Sequence, residues 1–271
     1  MTPSWEALVA PLVALCREAG DAIEAARRGG VETRWKADES PVTAADLAAH
    51  RVLIQGLPAL GEAWPILSEE SAAIPWETRH RWTTYWLVDP LDGTKEFLRG
   101  SDEYTVNVAL VHRQRSILGV IVKAATAEVW VGEPERGAWY QASAGADWRA
   151  LRVRAATPPR LVVSRFHRGR HTQALIEALD GASVEPLGSS LKCCRIAAGE
   201  ADLYPRFGPT SEWDTAAAQA VLEGAGGSLV DMRTWRPLRY NTRETLLNPP
   251  FVACASLSAE WRLQLPIPDQ P

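Results

Sequence analysis

Two aspartates, Asp89 and Asp92, stand three residues apart, with Pro90 and Leu91 between them and Gly93 and Thr94 after them. The four residues before the pair, Tyr85 to Val88, are apolar, which predicts a buried strand carrying two like charges to one point. Carboxylates held together repel each other, and a cation relieves that repulsion. Oxygen-only ligands suit a hard ion such as Mg²⁺, which is normally held by a few carboxylates together with water and substrate phosphate. Pro90 fixes one backbone angle and Gly93 permits a sharp turn, so both side chains can face one point with the Leu91 carbonyl beside them. Asp, Pro and Gly are also ordinary turn formers. The pair therefore needs partners.

Three candidates exist, and each has an ordinary structural reading of its own. Glu69 and Glu70 follow the short apolar run "PILS", where an acid pair is commonly a solvated loop. Asp214 opens "DTAAAQAVLEGAGG", where Asp is a favoured N-cap and the helix start behind it favours an incoming anion. Asp46 closes Thr43-Ala44-Ala45-Asp46, a capping-box pattern with Asp in place of Glu or Gln.

The elements that must position these residues follow from periodicity. Trp5, Leu8, Val9, Leu12, Leu15, Cys16, Ala19 and Ile23 recur at helical spacing up to Gly29–Gly30, with Pro11 marking either a kink or the true start. A second helix is expected from Thr43 to about Leu60, then a short strand at "PILS" and another at Tyr85–Val88. Four strands with hairpin spacing follow in "YTVNVALV", "ILGVIVKA", "EVWVGE" and "GAWYQ". The second half alternates: strand "LVVS", helix near Thr172–Leu179, strand "SVEPL", helix near Leu191–Ala198, strand "DLYPR", an Ala-rich helix from about Asp214 to Glu223, and a strand at Ser228–Asp231. This mixture predicts an α/β or α+β layered sandwich. No Pro/Gly/Ser-rich linker divides the chain, so two lobes sharing one core are expected in a single domain over 1–271, approximately 1–155 and 156–255, with a proline-rich tail over 256–271 expected to fray.

Composition bounds the function. The chain has 271 residues and a formal net charge of −4, without a long basic run, which argues against non-specific nucleic-acid binding. Cys16, Cys193, Cys194 and Cys254 show no C-x-x-C spacing, and a reduced, cytoplasmic setting is expected. The N-terminal stretch lacks a basic start and carries Glu6, so no signal peptide is read, and no apolar run is long enough to span a bilayer. Loose attachment to the inner face of a membrane is compatible with the sequence. The oligomeric state is not readable from it.

The combination is more specific than its parts. "SPVTAAD", "LSEES", "WLVDPLDGTKEF", "GSSLK" and "EWDTAAAQAVLEGAGG" occur in this order, and from about Lys36 to Pro250 the chain resembles the inositol monophosphatase superfamily of Mg²⁺-dependent, lithium-sensitive phosphatases. Lys95-Glu96-Phe97, Lys192 and "LYPRFGPT" are more narrowly similar to its bacterial 3′(2′),5′-bisphosphate nucleotidase branch; simple inositol phosphatases usually carry Asn before that Phe. The resemblance implies a layered αβαβα sugar-phosphatase sandwich with two or three Mg²⁺ ions between the lobes. It implies that Glu69, Asp89, Asp92 and Asp214, with the Leu91 carbonyl, hold metal, and that Asp46 and Thr94 orient the attacking water with Glu70 nearby. It also implies substrate contacts from Gly93, Thr94, Asp214, Ser189, Lys192 and Arg206, and more weakly from His167. The expected substrate is a small molecule, adenosine 3′,5′-bisphosphate (PAP), hydrolysed to AMP and phosphate, with its sulfated analogue PAPS as a second. An inositol or sugar phosphate on the same scaffold is the rival substrate, and a non-catalytic PAP sensor is the rival of another class. Of the twelve tryptophans, Trp86 and Trp213 flank the motifs and could wall a base pocket, although packing is the simpler reading.

Overall fold

Pro11 sits where one helical geometry passes into another. In the computed structural model, which describes residues 5–30, 33–35, 41–166, 169–257 and 259–262, a wide π-helical turn over Trp5–Val9 leads directly into helix α1 (Ala10–Gly29), with Pro11 in the first turn of α1. Strands β1 (Thr33–Trp35) and β2 (Pro41–Thr43) pair antiparallel and lead into helix α2 (Ala44–Gly56). Strand β3 (Ile66–Ser68) and the short helix α3 (Trp76–Arg79) precede β4 (Thr84–Asp92), and the five-residue helix α4 (Thr94–Leu98) follows it. The hairpin-spaced strands form as expected: β5 (Thr105–His112), β6 (Arg115–Lys123), β7 (Glu128–Glu133) and β8 (Gly137–Gln141), with β9 (Arg149–Ala150) added at the edge. The second half gives β10 (Arg160–Ser164), α5 (Arg170–Ala178), β11 (Ser183–Leu187), α6 (Leu191–Ala197), β12 (Leu203–Arg206) and α7 (Trp213–Gly224). Strands β13 (Ser228–Asp231) and β14 (Phe251–Cys254) and the short α8 (Ala259–Arg262) complete it. The proline-rich tail expected to fray lies largely outside the described residues.

A seven-stranded sheet runs in the order β3-β4-β5-β6-β7-β8-β9, with β3 and β4 parallel and the rest antiparallel. A five-stranded sheet has the order β11-β10-β12-β14-β13. Alternation along β4 shows how the layers stack. Trp86 and Val88 face a cluster with Leu12 and Ile23 of α1 and Leu53 of α2, whereas Tyr85 and Leu87 face α6 and α7. Those two helices also meet Tyr204, Leu229 and Phe251 of the second sheet, and Leu175 of α5 covers that sheet's outer face with Val230 and Val252. The order is helix, sheet, helix, sheet, helix. Each fully buried side chain such as Leu53 contributes about 1.5–3 kcal/mol by leaving water. The Ala-rich α7 packs so closely that a Cβ at Gly119 or Gly132 would lie 2.3 or 2.2 Å from its backbone. That contact fixes where Asp214 emerges.

Strand β4 does not stop at Val88 but continues through both aspartates, with an irregular register: Asp89 pairs with Asn107 and Asp92 with Thr105. Three steps on β4 match two on β5, so one extra residue is accommodated as a bulge. In a regular strand, residues three apart point to opposite faces. The bulge brings Asp89 and Asp92 to the same side, and Pro90 can occupy it because no ladder N–H is needed there.

The four cysteines are unpaired and buried. Among the described residues, no helix is long and apolar enough to cross a membrane.

Candidate active site

Asp89, Asp92 and Asp214 each offer an oxygen within 4.8 Å of the others. One oxygen of each is already committed to a donor. Asp89 Oδ1 accepts from Leu91 N at 3.0 Å, and Asp214 Oδ2 accepts from Ser211 N at 2.9 Å. Asp92 Oδ2 accepts from Ser190 N and Ser189 Oγ at 2.7 Å each, and from Asn107 Nδ2 at 3.3 Å. Their second oxygens take no hydrogen bond among the described residues. Glu69 follows β3, whose Ser68 pairs with Val88, so it lies beside Asp89 at the edge of the same cleft.

The electrostatics match this crowding. Asp89 is 1% exposed, and burial, then Glu69, Asp92, Asp214 and Asp46, raise its pKa well above the carboxylate range. Asp214 is raised in the same sense by burial, Asp92 and Glu69, against the Ser211 hydrogen bond and Arg206. A set of carboxylates converging in one place, Asp89 buried and Asp92 and Asp214 partly so, with oxygen donors only, fits a hard divalent cation.

Asp214 is not the N-cap of α7. Glu212 occupies that position without a side-chain cap, and Asp214 sits in the first turn reaching back to Ser211 N. Asp46 combines both of its readings. Its Oδ2 accepts from Thr43 N at 2.7 Å, completing the capping box, while Oδ1 accepts from Thr94 Oγ1 at 3.3 Å. Burial raises its pKa, opposed by the Thr43 bonds. Thr94 Oγ1 also lies 3.3 Å from the Leu91 carbonyl. Glu70 lies near Asp46, whose pKa its charge helps to raise, and does not line the cleft. Gly93, at φ 95°, takes a left-handed turn, and a Cβ there would meet Glu103 O at 2.9 Å.

The cleft holds about 470 Å³, and its far wall carries Lys192 and Arg206. Lys192 Nζ donates to the Leu187 and Ser189 carbonyls and lies 5.1 Å from the Tyr204 ring centre. Arg206 donates to Ser164 Oγ at 2.9 Å and to Pro209 O at 2.7 Å, and its Nε is buried with no partner among the described residues. Neither cation forms a salt bridge to a carboxylate among the described residues. Ser189 lines the cleft, with its hydroxyl engaged by Asp92 and Thr105. His167 lies outside the described residues. Trp213 lines the cleft, whereas Trp86 is fully buried on the α1/α2 side of the sheet and cannot wall it.

Sequence reasoning missed the donors that hold the acids. Thr105 and Asn107 are polar residues two apart on the otherwise apolar β5, which places both on the face carrying Asp89 and Asp92. That alternation was the available signal. Ser190, Ser164 and Tyr204 gave none.

Comparison with known proteins supplies the lineage. A family model described as the inositol monophosphatase family matches residues 4–264. The 3′(2′),5′-bisphosphate nucleotidase CysQ of Shigella flexneri is 44% identical over 246 residues, covering 88% of this chain and 95% of that relative. The Haemophilus influenzae protein of the same name is 32% identical over 266 residues, covering 95% of this chain and 96% of the relative. Among solved structures, CysQ of Bacteroides thetaiotaomicron superposes with a TM-score of 0.78 at 33% identity, over 90% of this chain and 96% of that one. The chain belongs to the inositol monophosphatase family, whose members are metal-dependent phosphatases.

Proposed function

We propose that the chain is a Mg²⁺-dependent 3′(2′),5′-bisphosphate nucleotidase that removes the 3′-phosphate of PAP, giving AMP and phosphate, with PAPS as a second substrate. The observation that carries this reading is that one cleft is lined both by a cluster of carboxylates and by two cations, Lys192 and Arg206, that form no salt bridge among the described residues. A monophosphate of inositol would engage only the first.

Glu69, Asp89, Asp92 and Asp214, with the Leu91 carbonyl, would hold two or three Mg²⁺ ions. When bound, such ions neutralise the ester phosphate and make water a better nucleophile at neutral pH. The chain's own residues do the positioning. Thr94 Oγ1, held between Asp46 and the Leu91 carbonyl, orients the attacking water, and Asp46 accepts the proton of that hydroxyl. Ser189, Ser190 and Asn107 lock Asp92 in one orientation. Lys192 and Arg206, which line the cleft, receive the 5′-phosphate, the guanidinium supplying directed hydrogen bonds and the ammonium a compact charge.

The test is phosphate release from a panel. kcat/KM for PAP is expected to exceed that for inositol 1-phosphate by at least ~10²-fold, within reach of one or two charge-assisted contacts. Equal efficiency on both would replace this reading with a broader sugar phosphatase.

A further inference from the structure

Glu96, one of the two residues that set this chain's central motif apart from that of simple inositol phosphatases, has no role in the chemistry above. It lies two residues beyond Thr94 on α4, lines the cleft and is 8% exposed. Its Cγ and Oε1 pack against Gly188; a Cβ there would come within 2.7 Å of Cγ and 2.9 Å of Oε1. The absence of a side chain at Gly188 makes room for the carboxylate. Among the described residues, the hydrogen-bond donor it meets is its own backbone N–H. Burial, Asp92 and Glu103 disfavour its charge, Lys192 favours it, and Arg165 lies within electrostatic range.

The carboxylate lines the cleft with few protein donors about it, so what enters the cleft decides its partner. Glu96 stands outside the group of acids whose oxygens converge within 4.8 Å and, unlike Glu69, does not bear on the charge of Asp89 or Asp214, so a cation held there is not its partner. A phosphate oxygen would be repelled by both Glu96 and Asp92. What remains is a neutral donor on the organic part of the substrate.

We propose that Glu96 is a specificity-determining residue that accepts a hydrogen bond from a neutral donor of the nucleoside, either the ribose hydroxyl beside the scissile phosphate or the amino group of the base. This rests on the nucleotidase reading, and it adds a negative element: the same carboxylate rejects ligands that place an anion at that point.

The experiment measures kcat/KM with Mg²⁺ for the intact protein and for Glu96→Ala on three substrates: PAP, its 2′-deoxy analogue and inosine 3′,5′-bisphosphate. Glu96→Ala is expected to lower kcat/KM for PAP by ~10- to 100-fold, the size of a hydrogen bond to a charged group. On the analogue lacking the true donor, the intact protein should lose a similar factor and Glu96→Ala should cost nothing further. Which analogue behaves so identifies the donor. An equal loss on all three substrates, or no loss on PAP, overturns the proposal. Should Glu96→Ala prove unfolded by its melting curve, Glu96→Gln keeps the size and one acceptor; it should show a smaller loss confined to the same substrates, and a uniform loss overturns the proposal. If the intact protein prefers PAP over inositol 1-phosphate while the variant's losses are uniform, the Glu96 inference alone fails. If it shows no such preference, the nucleotidase reading fails and this inference with it.

Discussion

The floor of the cleft and its wall store opposite charges by different means. On the floor, Asp89, Asp92, Asp214 and Asp46 each have one oxygen held by a backbone N–H. The remaining oxygens are aimed, and the geometry is set before any ion arrives. On the wall, Lys192 and Arg206 are held by neutral carbonyls and a hydroxyl, which orient them without cancelling their charge. The floor is unstable alone, because burial and its neighbouring acids raise the pKa values of Asp89 and Asp214. On the proposed reading the floor depends on a resident cation, and the wall waits for a substrate.

Breaking the floor should have the largest effect. Asp92→Asn keeps the shape and its hydrogen-bonding neighbours but removes charge, and turnover of PAP is expected to fall by at least ~10³-fold. Next comes the residue that links floor to water. Thr94→Ala is expected to slow kcat by ~10²–10⁴-fold with little change in KM, read by steady-state kinetics. The wall should matter less and more selectively. Arg206→Ala should lower kcat/KM for PAP by ~10- to 100-fold while leaving the slow hydrolysis of inositol 1-phosphate unchanged.

Stability sharpens the contrast further. Asp89 and Asp214 have folded-state pKa values raised well above 3.8, and Glu212, buried two residues before Asp214, is pushed up by burial to about 7. Groups raised in this way stabilise the fold fully below their unfolded values, and that contribution is lost as pH rises through the folded ones. The metal-free protein should thus melt at lower temperature as pH rises from about 5 to 8, and the gain from added Mg²⁺ should grow over the same range. The smallest effect belongs to the cap of α2. Thr43→Ala removes it and should cost about 1 kcal/mol, roughly 2–4 °C in a protein of this size. Because Thr43 Oγ1 also donates to Asp46 Oδ2 at 2.6 Å, kcat should fall as well, but less than in Thr94→Ala.

Much of this could be read from the residues in order. The four hairpin strands were readable because turn-forming breaks separate apolar runs of five to nine residues. The acidic motif was readable because Asp-x-x-Asp joined to Glu69, Asp46 and Asp214 has few other uses. Strand β14 escaped because Phe251–Cys254 is four buried residues after two prolines, with no alternation to mark it. The bulge in β4 escaped because it is set by pairing with β5. Asp214 appeared to be a cap because Glu212, fully buried and tied to Asn241 N, takes that position through a tertiary contact. The lesson concerns ligands and their holders: charged residues announce themselves in sequence, and the neutral donors that aim them do not.

The most direct measurement is phosphate release from PAP by protein stripped of divalent ions and then titrated with Mg²⁺. Turnover should be absent after chelation and return in proportion to Mg²⁺, because the acidic floor has no other means of meeting a phosphate. Undiminished turnover in the chelated protein, or no recovery on restoring Mg²⁺, would contradict it.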